Sequence, residues 1–319
     1  MLAVIIAGFA LSIALPYFGL LNKYVIFVLI SVGINVILTI SLNLVNGFMG
    51  EFSVGHAGFM AVGAYGAAVT SVNVIPRWMG AAAFPTAILA GGLAAALVSL
   101  FVAIPSFKTR GDYLAIVTLA FAMIVKSALE NMDVLGGPRG FMGMQQFTTL
   151  PWVFFWMVLS LWAIRNFVYS AYGRGVLSIR EDETASELSG VDTRKVKVLT
   201  FALSSFFAGV AGGLYAHLLQ FINPSMFDVI KSTEMLIMVY LGGVGSIAGS
   251  ILGASIYTIL MEVLRPMGVW RMVLMPAVLI LLMIFRPRGI MGLRELRWFV
   301  YKAIPHSGAA AKGQNIGNT

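Results

Sequence analysis

Cysteine is absent from the 319 residues, and histidine occurs only three times. Without thiols there is no disulfide framework, no thiolate metal site and no cysteine nucleophile. Compartment is left open, since a membrane protein can do without thiols anywhere. Charge is also scarce: Asp, Glu, Lys and Arg make up 11% of the chain, against about 25% in a typical soluble domain. That is too little to coat a water-soluble globule. A GxxxxGK(S/T) phosphate loop, an HExxH pair and a GxSxG elbow are all missing. No polar stretch is long enough for a nucleotide-binding or ligand-binding domain. If such a chain moves solute uphill, the energy comes from ions passing through it or from another subunit.

What is present is apolar length. Hydrophobic residues account for 59% of the chain and the mean hydropathy is +0.91. A hydrocarbon core about 30 Å thick takes roughly 20 helical residues. Spans are expected at 2–18, 24–45, 52–72, 84–104, 113–129, 152–168, 198–221 and 272–285. The first of these has no basic leader and no small-residue cleavage site after it, and reads as a membrane helix rather than a signal peptide. The isoelectric point near 9.8 does not point to nucleic acid, because on such a background a basic excess reports orientation. The expected fold is all-α: a polytopic helical bundle of about eight full spans plus one awkward region, 235–263, too long for one span and too short for two.

Lys and Arg collect in cytoplasmic loops. If the polar loop 173–197 is cytoplasmic, Lys108 and Arg110 fall inside while Lys23, Arg77 and Arg139 fall outside. The tail, with Arg286, Arg288, Arg294, Arg297, Lys302 and Lys312, belongs inside too, which requires 235–263 to cross twice or not at all. That arrangement puts 14 of the 21 basic residues inside; a single crossing would put 10 there. The expectation is therefore a broken or re-entrant helix pair, with both termini cytoplasmic. Residues 1–304 then form one membrane domain, and 305–319, rich in Gly, Ala and Asn, form a disordered tail.

Two segments are dense in glycine: GFMGEFSVGHAGFMAVGAY from Gly47 and YLGGVGSIAGSILGA from Tyr240. In the second, Gly245, Gly249 and Gly253 recur every four residues and would clear one helix face for close approach. Gly242 and Gly243 just upstream point to an unwound stretch. In the first, Gly47 and Gly50 precede Ser53, Gly55, His56 and Gly58. Glycine-rich backbone at membrane depth is tolerated where it is buried in protein or lines a wet cavity, and interrupted segments in both halves of a chain point to a transport path. Tight packing and path-lining, with Ser246 in the second segment, both remain open. Ser53 and His56, three apart, would share a helix face, though no third group completes a nucleophilic site. Lys126 and Glu130 are spaced for an i,i+4 ion pair, and Asn35 and Asn43 are placed to bond neighbouring helices.

The loop GRGVLSIREDETASELSGVDTRK from Gly173 holds five of the 13 acidic residues: Glu181, Asp182, Glu183, Glu187 and Asp192. Residues 179–188 read as one short helix with acids in its first turn, stopped by Gly190. Leu177, Ala185 and Leu188 give it a small apolar side. A helix this short needs a partner surface.

Six stretches in order carry a resemblance: the Gly47 segment, RGDYLAIVTLAFA from Arg110, GGPRGFMG from Gly136, IREDETASELSGVDTRKVK from Ile179, FFAGVAGGLYA from Phe206, and the Tyr240 segment followed by FRPRGIMG from Phe285. Together they make the chain similar to permease subunits of bacterial branched-chain amino acid ABC transporters, of the LivM type. The resemblance implies a non-catalytic subunit of the inner membrane with no cofactor. Its implied partners are two cytoplasmic ATPases, a second homologous permease (a heterodimer) and an extracytoplasmic substrate-binding protein. It implies branched-chain amino acids as substrate, with urea, amides or other amino acids as the variants. It also implies that the short helix 181–190 fits a groove on the ATPase. There Glu183, Thr184, Ala185 and Gly190 match the permease loop pattern with one extra residue before the glycine. Three competing functions make different demands: proton-coupled transport on Glu51, His56 and Glu130, a hydrolase on Ser53 and His56, or a passive channel.

Overall fold

The computed structural model describes residues 2–17, 22–74, 83–107, 113–285, 289–292 and 295. Lys108, Arg110, Arg77, most of the basic tail and the whole of 305–319 lie outside the described residues, so the tail's expected disorder does too.

The described residues form twelve α-helices: α1 (Leu2–Tyr17), α2 (Lys23–Asn43), α3 (His56–Val69), α4 (Ala83–Ser106), α5 (Tyr113–Glu130), α6 (Leu150–Val168), α7 (Ala171–Glu181), α8 (Glu183–Leu188), α9 (Thr193–Leu219), α10 (Val229–Gly242), α11 (Ile247–Val263) and α12 (Trp270–Phe285). Strands β1 (Phe141–Met142) and β2 (Phe221–Ile222) form a single antiparallel rung, pairing Phe141 with Ile222 and Met142 with Phe221. The rung ties the α5–α6 connection to the end of α9. The protein is an all-α polytopic membrane protein. Among the described residues six helices are long and apolar enough to cross a bilayer; α1 and α12, read from sequence as spans, have 16 residues each.

Small residues set the packing at the centre. A Cβ on Gly63 of α3 would lie 2.1 Å from Gly209 Cα of α9, and one on Gly91 of α4 would lie 2.4 Å from the Gly63 carbonyl. Three helices therefore meet backbone to backbone, which in lipid yields dispersion contact that larger side chains would prevent. From Ile34 onward α2 is buried on nearly every side, with Ile37, Leu38 and Ile40 fully enclosed. That position explains why its sequence shows no polar face.

The awkward region resolves into two short helices. α10 and α11 fold back on each other at a break over residues 243–246. The break is fixed by Gly243 and Gly245, at φ +134° and +79°, a region open to glycine. Gly242 packs on Gly249, and a Cβ on Gly253 would be 2.1 Å from the Met238 carbonyl. The expected glycine face thus exists, with one correction. Gly245 lies in the break rather than on α11, and the surface packed against Gly249 and Gly253 is the preceding helix. A second correction concerns α3, expected from residue 52. Residues 51–55 are irregular, and the helix begins at His56, because Val54 and Ser53 give their N–H groups to the Thr118 and Asn46 side chains.

Gly253→Val forces branched carbon into the Met238 carbonyl and should cost at least the about 1–3 kcal/mol of an overpacked core. Thermal unfolding followed by size-exclusion in detergent should show a lower midpoint than wild type. Leu252→Ala, next door on the exposed side, should leave the midpoint unchanged.

Candidate functional site

The polar loop folds as two helices rather than one. Ser170 caps α7, its hydroxyl accepting from the Gly173 N–H at 3.2 Å. α7 buries Gly173, Val176 and Ile179. Asp182 then leaves the helix with an extended backbone (φ −159°, ψ 113°), and its carboxylate accepts from the Ala185 N–H at 3.0 Å. That cap starts α8 and interrupts the single helix expected over 179–188, a switch typical of an N-cap aspartate. Gly190, at φ +85°, ends the turn, with the Gly190 N–H on the Glu187 carbonyl at 2.9 Å. Asp192 caps α9 through the Lys195 N–H at 3.0 Å. The Lys195 ammonium, together with that N–H, holds the Asp192 carboxyl below its ordinary range.

Of the apolar side expected of this segment, Leu177 packs against the core and the rest is not covered by its own chain. Leu188 is 86% exposed, Ala185, Glu181, Asp182 and Glu187 are exposed, and Leu177 is half-buried. Ser186 is the buried residue of α8. The six-residue helix therefore projects from the bundle with Leu188 at its tip. Glu187 turns back to accept from the Thr193 hydroxyl at 2.9 Å.

Beneath this projection the two glycine segments meet. α2 ends in a π-helical turn, Leu44–Met49, whose Gly47 lies against Gly245: a Cβ there would be 2.3 Å from the Gly245 nitrogen. Asn43 holds the junction from one side. Its amide donates to the Gly243 and Ser246 carbonyls at 3.3 and 2.9 Å and to the Ser250 hydroxyl at 2.8 Å, and its oxygen accepts from the Gly245 N–H at 2.9 Å. A side-chain amide has two N–H donors and an acceptor oxygen, and Asn43 turns both ends to the α10–α11 break, as the sequence expectation of bonds to neighbouring helices required. Asn35 does the same one level away, donating to Thr258 at 2.8 Å. Ser246 caps α11 through the Gly249 N–H at 2.9 Å, and Glu295 accepts from the Ile247 N–H and, at 3.4 Å, from the Ala248 N–H. Burial pushes the Glu295 carboxyl above its ordinary range, against the opposing pull of those two N–H groups and the Ser246 hydroxyl.

Two cations tie the projection to the junction. Arg180 of α7 donates to the Gly47 carbonyl at 3.2 Å, and its alkyl stem lies over Gly50. Lys197, one turn into α9 and only 7% exposed, sits 2.6 Å from Glu51 and 2.8 Å from Glu183. One buried ammonium thus joins the first residue of α8 to the loop that follows the α2 break. Sequence reasoning missed both cations. The available signal was Lys197 itself, a charge flanked by valines at the start of an apolar run, where ionisable groups are costly and retained for a reason.

Other expected pairings are not formed. Ser53 precedes α3 instead of sharing a helix face with His56. The His56 ring is bonded to Ser41 at 2.8 Å, and the buried Ser53 hydroxyl has no hydrogen-bond partner. No nucleophile–base pair exists there. Lys126 bonds Asp228 at 2.8 Å in place of the ion pair expected with Glu130. Gly55 and Gly58 lie against the backbone of Thr118 and Ala122 in α5, which is close helix packing. Among the described residues no group of three or more His, Asp or Glu could hold a metal ion.

The family described as branched-chain amino acid transport system / permease component matches residues 24–285, over four-fifths of the chain. This chain belongs to that family. The permease is 30% identical to the high-affinity branched-chain amino acid transport system permease protein LivM of Escherichia coli K12, over 90% of this chain and 74% of that protein. It is 31% identical to the LivM protein of Salmonella typhimurium, over 81% and 68%. It is 29% identical to the LivH permease of E. coli K12, over 63% and 65%. No solved structure matches it. The permease is a transport subunit, not an enzyme, and a multi-pass membrane protein.

Removing the shared cation leaves two carboxylates facing each other. Lys197→Met should therefore destabilise the permease by about 1–3 kcal/mol, less than a fully buried pair because the two carboxylates are partly solvated. A double-mutant cycle with Glu183→Gln, read by thermal unfolding in detergent, should give coupling of about 0.5 kcal/mol or more. Additive effects would show that α8 is not held through Lys197.

Proposed function

We propose that this chain is the LivM-type half of an ATP-binding-cassette importer and forms part of the path for branched-chain or other hydrophobic amino acids across the inner membrane. The relatives' names support the substrate class. The arrangement supports the mechanism. The loop 173–197 and both termini lie on the cytoplasmic side. α8, with Glu181, Asp182, Glu183, Ala185, Glu187, Leu188 and Gly190, docks on one of two ATPase subunits. A second, homologous permease completes the membrane part, and an extracytoplasmic binding protein delivers substrate.

The observation that carries this reading is Lys197 between Glu183 and Glu51. A push on the exposed tip of α8 reaches the junction by two routes: through Lys197 to Glu51, and through Arg180 to the Gly47 carbonyl. There the α-helices are already interrupted, Gly47 touches the Gly245 backbone, and Gly50 and Gly243 flank that contact. Two discrete packings of such a junction differ by little energy, which is what a gate requires. Gly55, Gly58, Gly242 and Gly249 keep the flanking helices in close register, while Ser53, His56 and Ser246 supply the polar groups beside the joint. Because Glu51 pairs with Lys197 and the His56 ring bonds Ser41, two of the three groups a proton-coupled carrier would use are engaged within the chain. That favours an external motor.

Glu183→Lys places a like charge against Lys197, and Gly190→Pro removes both the positive φ and the N–H that closes α8. Each should reduce substrate uptake and transport-coupled ATP hydrolysis at least tenfold in reconstituted vesicles, with membrane insertion unchanged. Full uptake in both variants would remove α8 from the mechanism. Isolation of the complex in mild detergent should yield the two ATPases, a second permease and the binding protein, and binding measurements on the last of these identify the substrate.

A further inference from the structure

Four charged residues stand at mid-depth in the bundle, away from the junction. Lys126 of α5 is 2.8 Å from Asp228, which precedes α10, and Lys231 is 2.8 Å from Glu234 within the first turns of α10. Their depth follows from the neighbouring helices. α5 runs beside α3 with Thr118 at Gly55 and Ala122 at Gly58, so Lys126, one turn further, is level with Val62. That is near the centre of the apolar stretch His56–Val74. The Lys126 pair holds Asp228 at that height, and the Ala57 N–H donates to Ser232 at 3.2 Å, which sets the first turn of α10 against the first turn of α3. α10 thus begins inside the membrane rather than at its surface.

These charges are neither sealed in protein nor at an interface. Their side chains are 19%, 34%, 20% and 24% exposed for Lys126, Asp228, Lys231 and Glu234, and the exposed neighbours Ile124 and Ile230 are apolar. Charges opening sideways at mid-depth are costly against hydrocarbon and mark water-filled paths. Each pair joins one cation to one anion across or along these helices. Such pairs can open to a solute that itself carries one ammonium and one carboxylate, since each of its ends can replace a protein partner of the same sign. Beside them Phe227 meets the rings of Tyr65 and Tyr215, both at 6.4 Å, and Lys231 stands 5.9 Å from the Tyr215 ring. Tyr65 and Phe227 are buried, so the partly exposed Tyr215 ring is the aromatic surface beside the charges, suited to an aliphatic side chain.

We propose that Lys126, Asp228, Lys231 and Glu234 form the site at which the permease takes hold of the zwitterionic head of an amino acid midway through the membrane, the carboxylate moving onto a lysine and the ammonium onto an acid. This rests on the amino acid importer reading above and moves substrate contact from the glycine junction to the start of α10.

The absence of native cysteine makes the test direct. In the assembled complex, Ile124→Cys and Ile230→Cys, exposed beside the charged pairs, are treated with a membrane-impermeant methanethiosulfonate, and modification is read as the mass of this chain. Leu97→Cys, on the exposed apolar side of α4, is the lipid-facing control. Both site cysteines should react at least tenfold faster than the control, and saturating L-leucine, but not urea, should slow them several-fold. As a second arm, the exchange Lys126→Asp with Asp228→Lys should restore assembly but leave L-leucine uptake at least tenfold down. Unreactive or unprotected cysteines in a complex that still imports L-leucine overturn the site alone, as does full uptake by the exchanged pair. A parent complex that imports no amino acid overturns the importer reading and the site with it.

Discussion

A single ammonium, that of Lys197, holds the projecting helix and the end of the broken second helix of this permease in one frame. It bridges Glu183, at the start of the projecting helix, and Glu51, at the exit from the broken second helix. Without it two carboxylates would face each other across a partly buried gap, and removing one member of such a cluster costs far more than the cluster contributes net. The consequence is mechanical. The six-residue helix α8 has almost no packing of its own, yet it cannot shift without carrying a charge that the loop after α2 also claims.

The rest of the junction is built to yield at one place only. Asn43 turns both ends of its amide to the start of α11 and the break before it, so that backbone finds partners although it is not helical, as membrane depth demands. Gly47 and Gly245 meet with no side chain between them, while the helices around them are locked by contacts that admit no Cβ. Stiff elements therefore converge on a short, hydrogen-bonded, side-chain-free joint.

Much of this was legible in residue order. Apolar runs mark the long helices because burial and lipid both select against charge, and the basic-residue count required an even crossing of 235–263, where two helices are found. Glycine spacing foretold close approach, and the polar loop foretold a short helix. Three things were not legible. The helix break at Asp182 depends on whether a carboxylate caps or stays helical, which local sequence leaves balanced. Asp228 lies 102 residues from Lys126 and Glu51 lies 146 residues from Lys197, and no spacing rule reaches that far. The Ser53–His56 pairing failed because it assumed a helix that begins only at His56.

The segment after α12 returns to the start of this joint. The Ile290 and Met291 N–H groups bond the Leu241 and Gly242 carbonyls, and Glu295 receives the first N–H groups of α11. During biosynthesis the ribosome must therefore pass residue 295 before the terminal carbonyls of α10 and the leading amides of α11 find their protein partners. Until then a nascent chain carries an open hairpin in the bilayer, and quality-control proteases would meet the permease at that step with its joint uncapped.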